Sequence, residues 1–125
     1  MKYVDGFVLP VSKKKLGAYR KMAQEAGRVW KKYGALEYFE CVSDDMFPKA
    51  KGWSPSVRFP QTVKAKQGEL VVFSFIVFKS RAHRDSVNSR VMKDPMMNDP
   101  KYKDMEMPFD MKRMLYGGFK AIVEY

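Results

Sequence analysis

The chain has 125 residues, which is close to the usual size of one domain and too short for two hydrophobic cores. One cysteine, Cys41, and one histidine, His83, exclude an internal disulfide and a Cys/His zinc cluster, so we predict no metal and no other cofactor. No apolar run reaches the roughly 18 residues that span a bilayer, and the start lacks the apolar stretch of a secretory signal. We expect one cytoplasmic domain over residues 1–125, without a membrane partner.

The net charge of +10 favours nucleic acid or another anionic surface as a partner. Its distribution is more informative than its total. Residues 1–34 hold nine lysines and arginines against two acids, so +7 of the charge lies in this part of the chain. Most of the excess falls on one predicted helix.

The first third of the chain predicts a strand, a helix and a second strand. Residues 2–11, "KYVDGFVLPV", alternate as a strand does, and both of its faces are largely apolar. Ser12 is a suitable N-cap for an amphipathic helix over residues 13–33, and Gly34 stands where a left-handed residue ends many helices. A second strand is predicted over residues 35–43.

A long stretch without a sustained period follows the second predicted strand. It covers residues 44–69 and contains three prolines, which is typical of a functional loop or of an arm that packs elsewhere. We expect Phe47, Trp53 and Phe59 to anchor it. Part of "VRFPQTV", residues 57–63, is predicted to form a short edge strand.

The third predicted strand, residues 70–78, is the most apolar segment of the chain. Its sequence "LVVFSFIVF" needs burial on both faces. Ser80 then caps a second predicted helix that runs to about Lys93, where the Asp-Pro pair at 94–95 stops it.

The last quarter predicts an irregular stretch and a final strand. Residues 96–111 hold at most one predicted helical turn. Their high methionine content is typical either of an adaptable apolar lid or of loosely specified packing. Residues 112–125 predict a strand that Gly117 and Gly118 interrupt by a bulge or a close approach.

The predicted order is β-α-β-β-α-β, which is the ferredoxin-like arrangement of the α+β class. It has a four-stranded antiparallel sheet with both helices on one face. The first and third strands are apolar on both faces and occupy the centre, so something else must cover the far face. We predict a homodimer in which two sheets pack face to face.

Four segments carry a resemblance to a known family: "YVDGFVLPV", "ALEYFECV", "FSFIVFKSRAHRDSVNSRVM" and "MPFDMKRMLYGGF". With these blocks in this order, the chain resembles the YbaA-like family of small bacterial proteins of unknown function. The resemblance implies the dimeric α+β barrel superfamily, which includes cofactor-independent monooxygenases and ligand-sensing domains. It implies no particular reaction.

Two residues are candidates for acid-base catalysis. Asp5 lies in the middle of a two-faced apolar strand, where burial raises the pKa of a carboxyl unless a cation or donor holds it ionised. The alternative is a carboxylate near a strand end that reaches solvent or pairs with lysine. His83 lies in the first turn of the second predicted helix, on the stripe that faces the sheet. The alternative is an interfacial histidine that is capped by backbone.

Four further residues are candidates for ligand binding: Tyr38, Glu40, Ser80 and Arg84. Tyr38 and Glu40 belong to the second strand, and the other two form a polar helix start that suits a small anion. Cys41 is interpreted as a small buried residue in preference to a nucleophile.

These candidates predict a small-molecule-binding protein, or a cofactor-independent enzyme, with its site between the sheet and the second predicted helix. The loop over residues 44–67 would form the mouth of this site or reach the partner subunit. The main alternative is a basic RNA-binding accessory protein, although no RNA-recognition signature accompanies the basic helix. A third is an interaction or stress protein without a small ligand.

Overall fold

The computed structural model describes residues 1–48, 52, 57–103 and 105–125. Four strands and three helices alternate along these ranges. Short 3-10 turns precede the first helix, at Lys13–Lys15, and follow the third, at Pro95–Asn98, Pro100–Tyr102 and Met111–Arg113. The bounds are β1 Tyr3–Ser12, α1 Leu16–Lys32, β2 Glu37–Val42, α2 Phe59–Thr62, β3 Glu69–Phe78, α3 Arg81–Met92 and β4 Leu115–Lys120.

The strands form one antiparallel sheet in the order β2-β3-β1-β4. The predicted α+β class and the four-stranded antiparallel sheet are therefore confirmed. β1 and β3 take the two central positions, as the apolar character of both of their faces predicted. β1 continues beyond Pro10 to Ser12, because its pairing with β4 ends at Val8 and a proline is tolerated where one edge has no partner strand.

Both long helices begin and end at the residues that local rules indicate. The Ser12 hydroxyl accepts from the Lys14 amide and opens the turn that leads into α1, while Gly34 has a φ of 110° after its end. The Ser80 hydroxyl accepts from the His83 amide at the start of α3, 3.1 Å away. Asp94 ends α3 by capping the next turn.

The predicted edge strand over residues 57–63 is wrong. Residues 59–62 form α2, a single helical turn, because Pro60 suits the first turn of a helix and the Gln61 side chain accepts from the Arg58 amide. Of the three expected anchors of this loop, Phe47 and Phe59 are exposed, and Trp53 lies outside the described residues. Val63 is buried instead, at 1 % exposure.

The two long helices, α1 and α3, cover one face of the sheet. The single turn α2 touches the other face, where Phe59 lies edge-on to Phe73. The buried residues on the first face form two clusters, one under the first half of α1 around Leu9 and Val72, and one under α3 around Phe78 and Val91. Full burial of one such side chain stabilises a fold by about 1.5–3 kcal/mol. No helix in the described ranges is long and apolar enough to cross a membrane.

An ion pair connects the start of β3 with the segment that leads into β4. The two terminal guanidinium nitrogens of Arg113 donate to the Glu69 carboxylate, at 2.6 and 2.7 Å, and its Nε donates to Asp110 at 3.1 Å. The two paired side chains are 14 % and 17 % exposed. These bonds lower the pKa of Glu69 to about 2.

We predict that Glu69→Gln lowers the free energy of unfolding at pH 7 by about 1.5–3 kcal/mol, the usual contribution of hydrogen bonds to a charged group. Because the folded-state pKa is depressed, this stabilisation is present above the ordinary pKa of 4.5 and is lost as the pH falls toward about 2. Urea unfolding between pH 2 and 7 measures it. Glu106→Gln, at an exposed pair with Lys15, is the control. Equal effects of the two variants would contradict the prediction.

Candidate functional site

A cavity of about 440 Å³ lies between the sheet, α1 and the segment that follows α3. We call it the inner cavity, and we call residues 95–103 and 105–114 the methionine arm. The sheet forms the floor of the inner cavity, α1 forms one wall, and the methionine arm forms the rest of the lining. The lining residues are Phe7, Leu9, Tyr38, Glu40, Ser74 and Ile76 from the sheet, Tyr19, Met22, Ala23, Ala26 and Trp30 from α1, and Met96, Met97, Tyr102, Met107, Phe109, Met111 and Met114 from the arm.

The lining of the inner cavity is almost wholly apolar. It contains six aromatic side chains and six methionines. Among the described residues that line it, Glu40 is the only charged one. Any molecule in this space would therefore meet aromatic faces and thioethers nearly everywhere, and a carboxylate at one point.

Glu40 is held by two phenols, one from α1 and one from its own strand. Tyr19 donates to one carboxylate oxygen and Tyr38 donates to the other, each over 2.7 Å. Burial is the main cause that raises the pKa of both tyrosines, and the negative charge of nearby Glu40 raises it further. Both phenols therefore keep their protons at neutral pH. The carboxylate consequently has a fixed position at the wall of the cavity.

A second, more open space of about 690 Å³ lies on the other side of this trio, along α1 and the edge strand β2. We call it the outer cleft. It shares Tyr19, Ala23, Tyr38 and Glu40 with the inner cavity, so these residues separate the two spaces. Its remaining lining is more polar and includes Arg20, Arg28 and Lys31.

Asp94 fixes the start of the methionine arm to α1. Its carboxylate accepts from the Tyr33 hydroxyl at 2.6 Å, from the Lys32 ammonium at 3.0 Å and from the Met96 amide at 2.9 Å. The hydrogen bond from Tyr33 is the largest of the effects that lower the pKa of Asp94 to about 2. The carboxylate therefore stays ionised and holds the arm throughout the neutral range.

Glu25 provides a second attachment of the arm to α1. Its carboxylate accepts from the Tyr102 hydroxyl, and the Lys101 ammonium lies 3.9 Å away. The bond from Tyr102 lowers the pKa of Glu25. Tyr102 thus lines the inner cavity while its hydroxyl is bonded outside it.

Asp5 belongs to a separate cluster under α3. It is 1 % exposed, and Arg84 donates to one of its oxygens over 2.8 Å while the Asn88 amide approaches the other at 3.4 Å. Arg84 also donates to the Tyr116 hydroxyl at 3.1 Å and lies over the ring of Tyr3. Burial raises the pKa of Asp5, and Arg84 acts in the opposite direction. The carboxylate thus has the cation partner that a purely structural role requires.

A short chain of hydrogen bonds connects this cluster with the inner cavity. Trp30 lines the cavity, and its indole nitrogen donates to the Asn88 side chain over 2.9 Å. Asn88 in turn contacts Asp5. The position of the Trp30 ring in the cavity wall therefore depends on the buried pair behind it.

His83 and Ser80 take part in the start of α3. The Lys79 amide donates to Nδ1 of His83 over 3.0 Å, and Ser80 caps the helix as described above. The His83 ring lies edge-on to Phe78 and faces Gly34, where an added Cβ would lie 3.4 Å from Nε2. The backbone-capped alternative for His83 agrees with this geometry.

The structure brings together only part of the predicted site. Tyr38 and Glu40 meet at the inner cavity, but neither cavity is lined by Asp5, Ser80, His83 or Arg84. Both spaces lie beside α1, and not between the sheet and the second predicted helix, because the Asp5–Arg84 pair and Asn88 fill the contact between β1 and α3. No described residue of the loop 44–67 lines either space.

Sequence reasoning missed Tyr19 as part of this site, and it did not place the methionine-rich stretch against α1. Tyr19 falls on the apolar stripe of α1, where its spacing is that of a core residue. Its bond to Glu40 joins residues 21 positions apart, which no local pattern indicates. The high methionine content of residues 92–107 was the one available signal for the arm. Cys41, which was expected to be buried, is exposed. Its position on β2 alternates with Tyr38 and Glu40, so its side chain points away from α1.

We predict that Arg84→Met lowers the free energy of unfolding at pH 7 by about 3–5 kcal/mol, because it leaves a buried carboxylate without its cation. Without Arg84 the raised folded-state pKa of Asp5 favours its protonated form, so the loss should be smaller at pH 4 than at pH 7. Chemical unfolding at the two pH values tests this, with Arg81→Met at an exposed position of the same helix as control. A loss no greater than that of Arg81→Met would contradict the prediction.

Comparisons with known proteins place this chain in a family. The family model described as "Protein of unknown function (DUF1428)" matches residues 2–111. The uncharacterised proteins YbaA of Escherichia coli K12 and of Shigella flexneri are each 45 % identical over 124 residues, covering 99 % of both chains. A de novo designed protein, Foldit4, aligns with 97 % of this chain at 12 % identity, and its TM-score of 0.45 is too low to carry an argument. The chain therefore belongs to the DUF1428 family of proteins of unknown function.

Proposed function

We propose that this protein binds a small, largely apolar molecule in the inner cavity. The observation that carries the proposal is a preformed space of about 440 Å³ with an apolar lining and one fixed carboxylate. Ligand sites usually have volumes of roughly 300–1,000 Å³ and combine apolar walls with a few placed polar groups. The arrangement around Glu40 has these properties.

The methionine arm supplies the route by which a ligand would enter. Its 3-10 turns are short, and its ends are held by the side-chain bonds of Asp94 and Glu69 described above. Segments held by few backbone bonds open at a lower free energy than strands and long helices do. Methionine side chains can also adapt to ligands of different shape.

We do not extend the proposal to catalysis. Asp5 is paired with Arg84, and His83 accepts a backbone hydrogen bond at the start of α3. Neither side chain lines the inner cavity or the outer cleft. Binding is the activity that the contacts support.

We propose in addition that the protein acts as a homodimer. The sheet face opposite α1 and α3, which we call the bare face, carries Val4, Val8, Phe39, Phe73, Phe75, Leu115 and Phe119. Phe39 and Phe75 stack at 4.9 Å, yet Phe39, Phe73 and Phe119 remain 48 %, 43 % and 63 % exposed. A contiguous apolar patch of this kind is typical of an interface, and a second copy supplies a matching sheet.

Ligand binding can be tested with a substitution that fills part of the inner cavity. Ala26 lines it from α1, whereas Ala18 lies on the exposed side of the same helix. We predict that Ala26→Leu weakens binding of the neutral apolar dye N-phenyl-1-naphthylamine at least about tenfold, because the added atoms occupy the ligand's space, while Ala18→Leu leaves it unchanged. A fluorescence titration measures both. Equal binding by the two variants would contradict the proposed site.

The proposed homodimer can be tested with a substitution on the bare face. We predict that the wild-type chain has the mass of a dimer in light scattering and that Phe73→Asp yields a folded monomer, since a carboxylate at the centre of an apolar contact has no partner there. Phe47→Asp makes the same change at an exposed phenyl outside the strands and should leave the dimer intact. A monomeric wild-type protein at micromolar concentration would exclude the dimer.

A further inference from the structure

We propose that the ligand of the inner cavity carries a protonated amine on an apolar body, and that this ammonium group binds Glu40. The inference rests on the proposed function and adds the chemical class of the ligand. The sequence suggested an anionic ligand, because the polar helix start at Ser80 and Arg84 suits a small anion. The inferred ligand has the opposite charge. Neither of those two residues lines the cavity.

The hydrogen bonding of Glu40 leaves room for a donor from the ligand. A carboxylate can accept about four hydrogen bonds. The two tyrosines donate one bond to each oxygen, and both phenols use their single hydrogen in doing so. Glu40 is exposed on the edge strand β2, so water can occupy its free acceptor positions. From within the cavity, a ligand can replace that water only with a group that brings its own N–H or O–H.

The surroundings of the carboxylate favour a cationic donor over a neutral one. Tyr19, Tyr38 and Trp30 all line the cavity near it, and the Trp30 and Tyr38 rings lie 6.1 Å apart between centroids. Aromatic faces attract an ammonium group through their negative quadrupole. The described lining of the inner cavity contains no lysine or arginine, and the three basic residues that share the outer cleft with Glu40 do not line the inner cavity.

The basic residues of α1 do not oppose this assignment. Arg20, Arg28 and Lys31 line the outer cleft, and the Lys31 ammonium is already bonded to the Leu36 carbonyl at 2.8 Å. They lie beyond the Tyr19–Glu40–Tyr38 trio and are absent from the lining of the inner cavity. An anion drawn to these residues would still meet the Glu40 carboxylate before it reached the apolar space.

Isothermal titration of the full chain at pH 7 with three probes of nearly equal size tests the inference. The probes are 4-phenylbutylamine, which is protonated at this pH, the neutral 4-phenylbutanol and the anion 4-phenylbutanoate. We expect the amine to bind about 10- to 100-fold more tightly than the alcohol, the range of a hydrogen bond to a charged group. The anion should bind more weakly than the alcohol.

Glu40→Gln should remove most of this preference by weakening amine binding about tenfold or more, while alcohol binding changes less than about threefold. Retained alcohol binding shows that the variant still folds around its cavity. Glu37→Gln is the matched control, because Glu37 lies on the same strand and points to the opposite face.

The outcomes separate this inference from the proposed function. If the alcohol binds but the amine binds no more tightly, or if the preference survives in Glu40→Gln, the assignment of an ammonium ligand is wrong and the apolar binding site remains. If none of the three probes binds, both proposals are wrong.

Discussion

The two central strands are apolar on both faces, and this constraint determines most of the architecture. β1 and β3 cannot leave either face in water at low cost, because each exposed apolar side chain forfeits the free energy of its burial. On one face α1, α3 and the methionine arm provide the cover. On the other face the described chain provides little, and Phe73 and Phe119 stay exposed. The proposed homodimer follows from this imbalance.

The inner cavity persists because α1 approaches the sheet closely at one end and not along its whole length. At Gly27 a Cβ atom would lie 2.9 Å from the ring of Tyr38, so only glycine allows the helix to come this near to β2. The close contact places Tyr38 and Tyr19 on either side of Glu40. Further along the wall α1 presents Ala23 and Ala26, whose small side chains leave space that the methionine arm covers without filling.

Local patterns in the sequence were sufficient to predict four strands and two long helices. They also predicted where the helices begin and end, because capping by Ser80 and the left-handed Gly34 depend only on neighbouring residues. They failed for α2, where a proline within an alternating pattern marked the first turn of a helix. They indicated the irregular backbone of the methionine arm, but not its contacts with α1, because those contacts are remote in sequence.

The candidate site divides in the same way. Glu40 could be found from the sequence, since a carboxylate on a strand that packs under a helix is unusual wherever it occurs. Asp5 met the same criterion, but its meaning depends on Arg84, 79 residues away, and no local rule reveals that partner. The location of the site beside α1 depended on the arm, so it could not be derived before the arm had been placed.

The composition of the cavity wall has one more consequence. Met96, Met97, Met107, Met111 and Met114 of the arm all face the same apolar space. Oxidation of a methionine to its sulfoxide turns a flexible apolar side chain into a polar one. A few added oxygen atoms would thus make the apolar wall polar, and the same polypeptide would present a space that favours water over an apolar ligand.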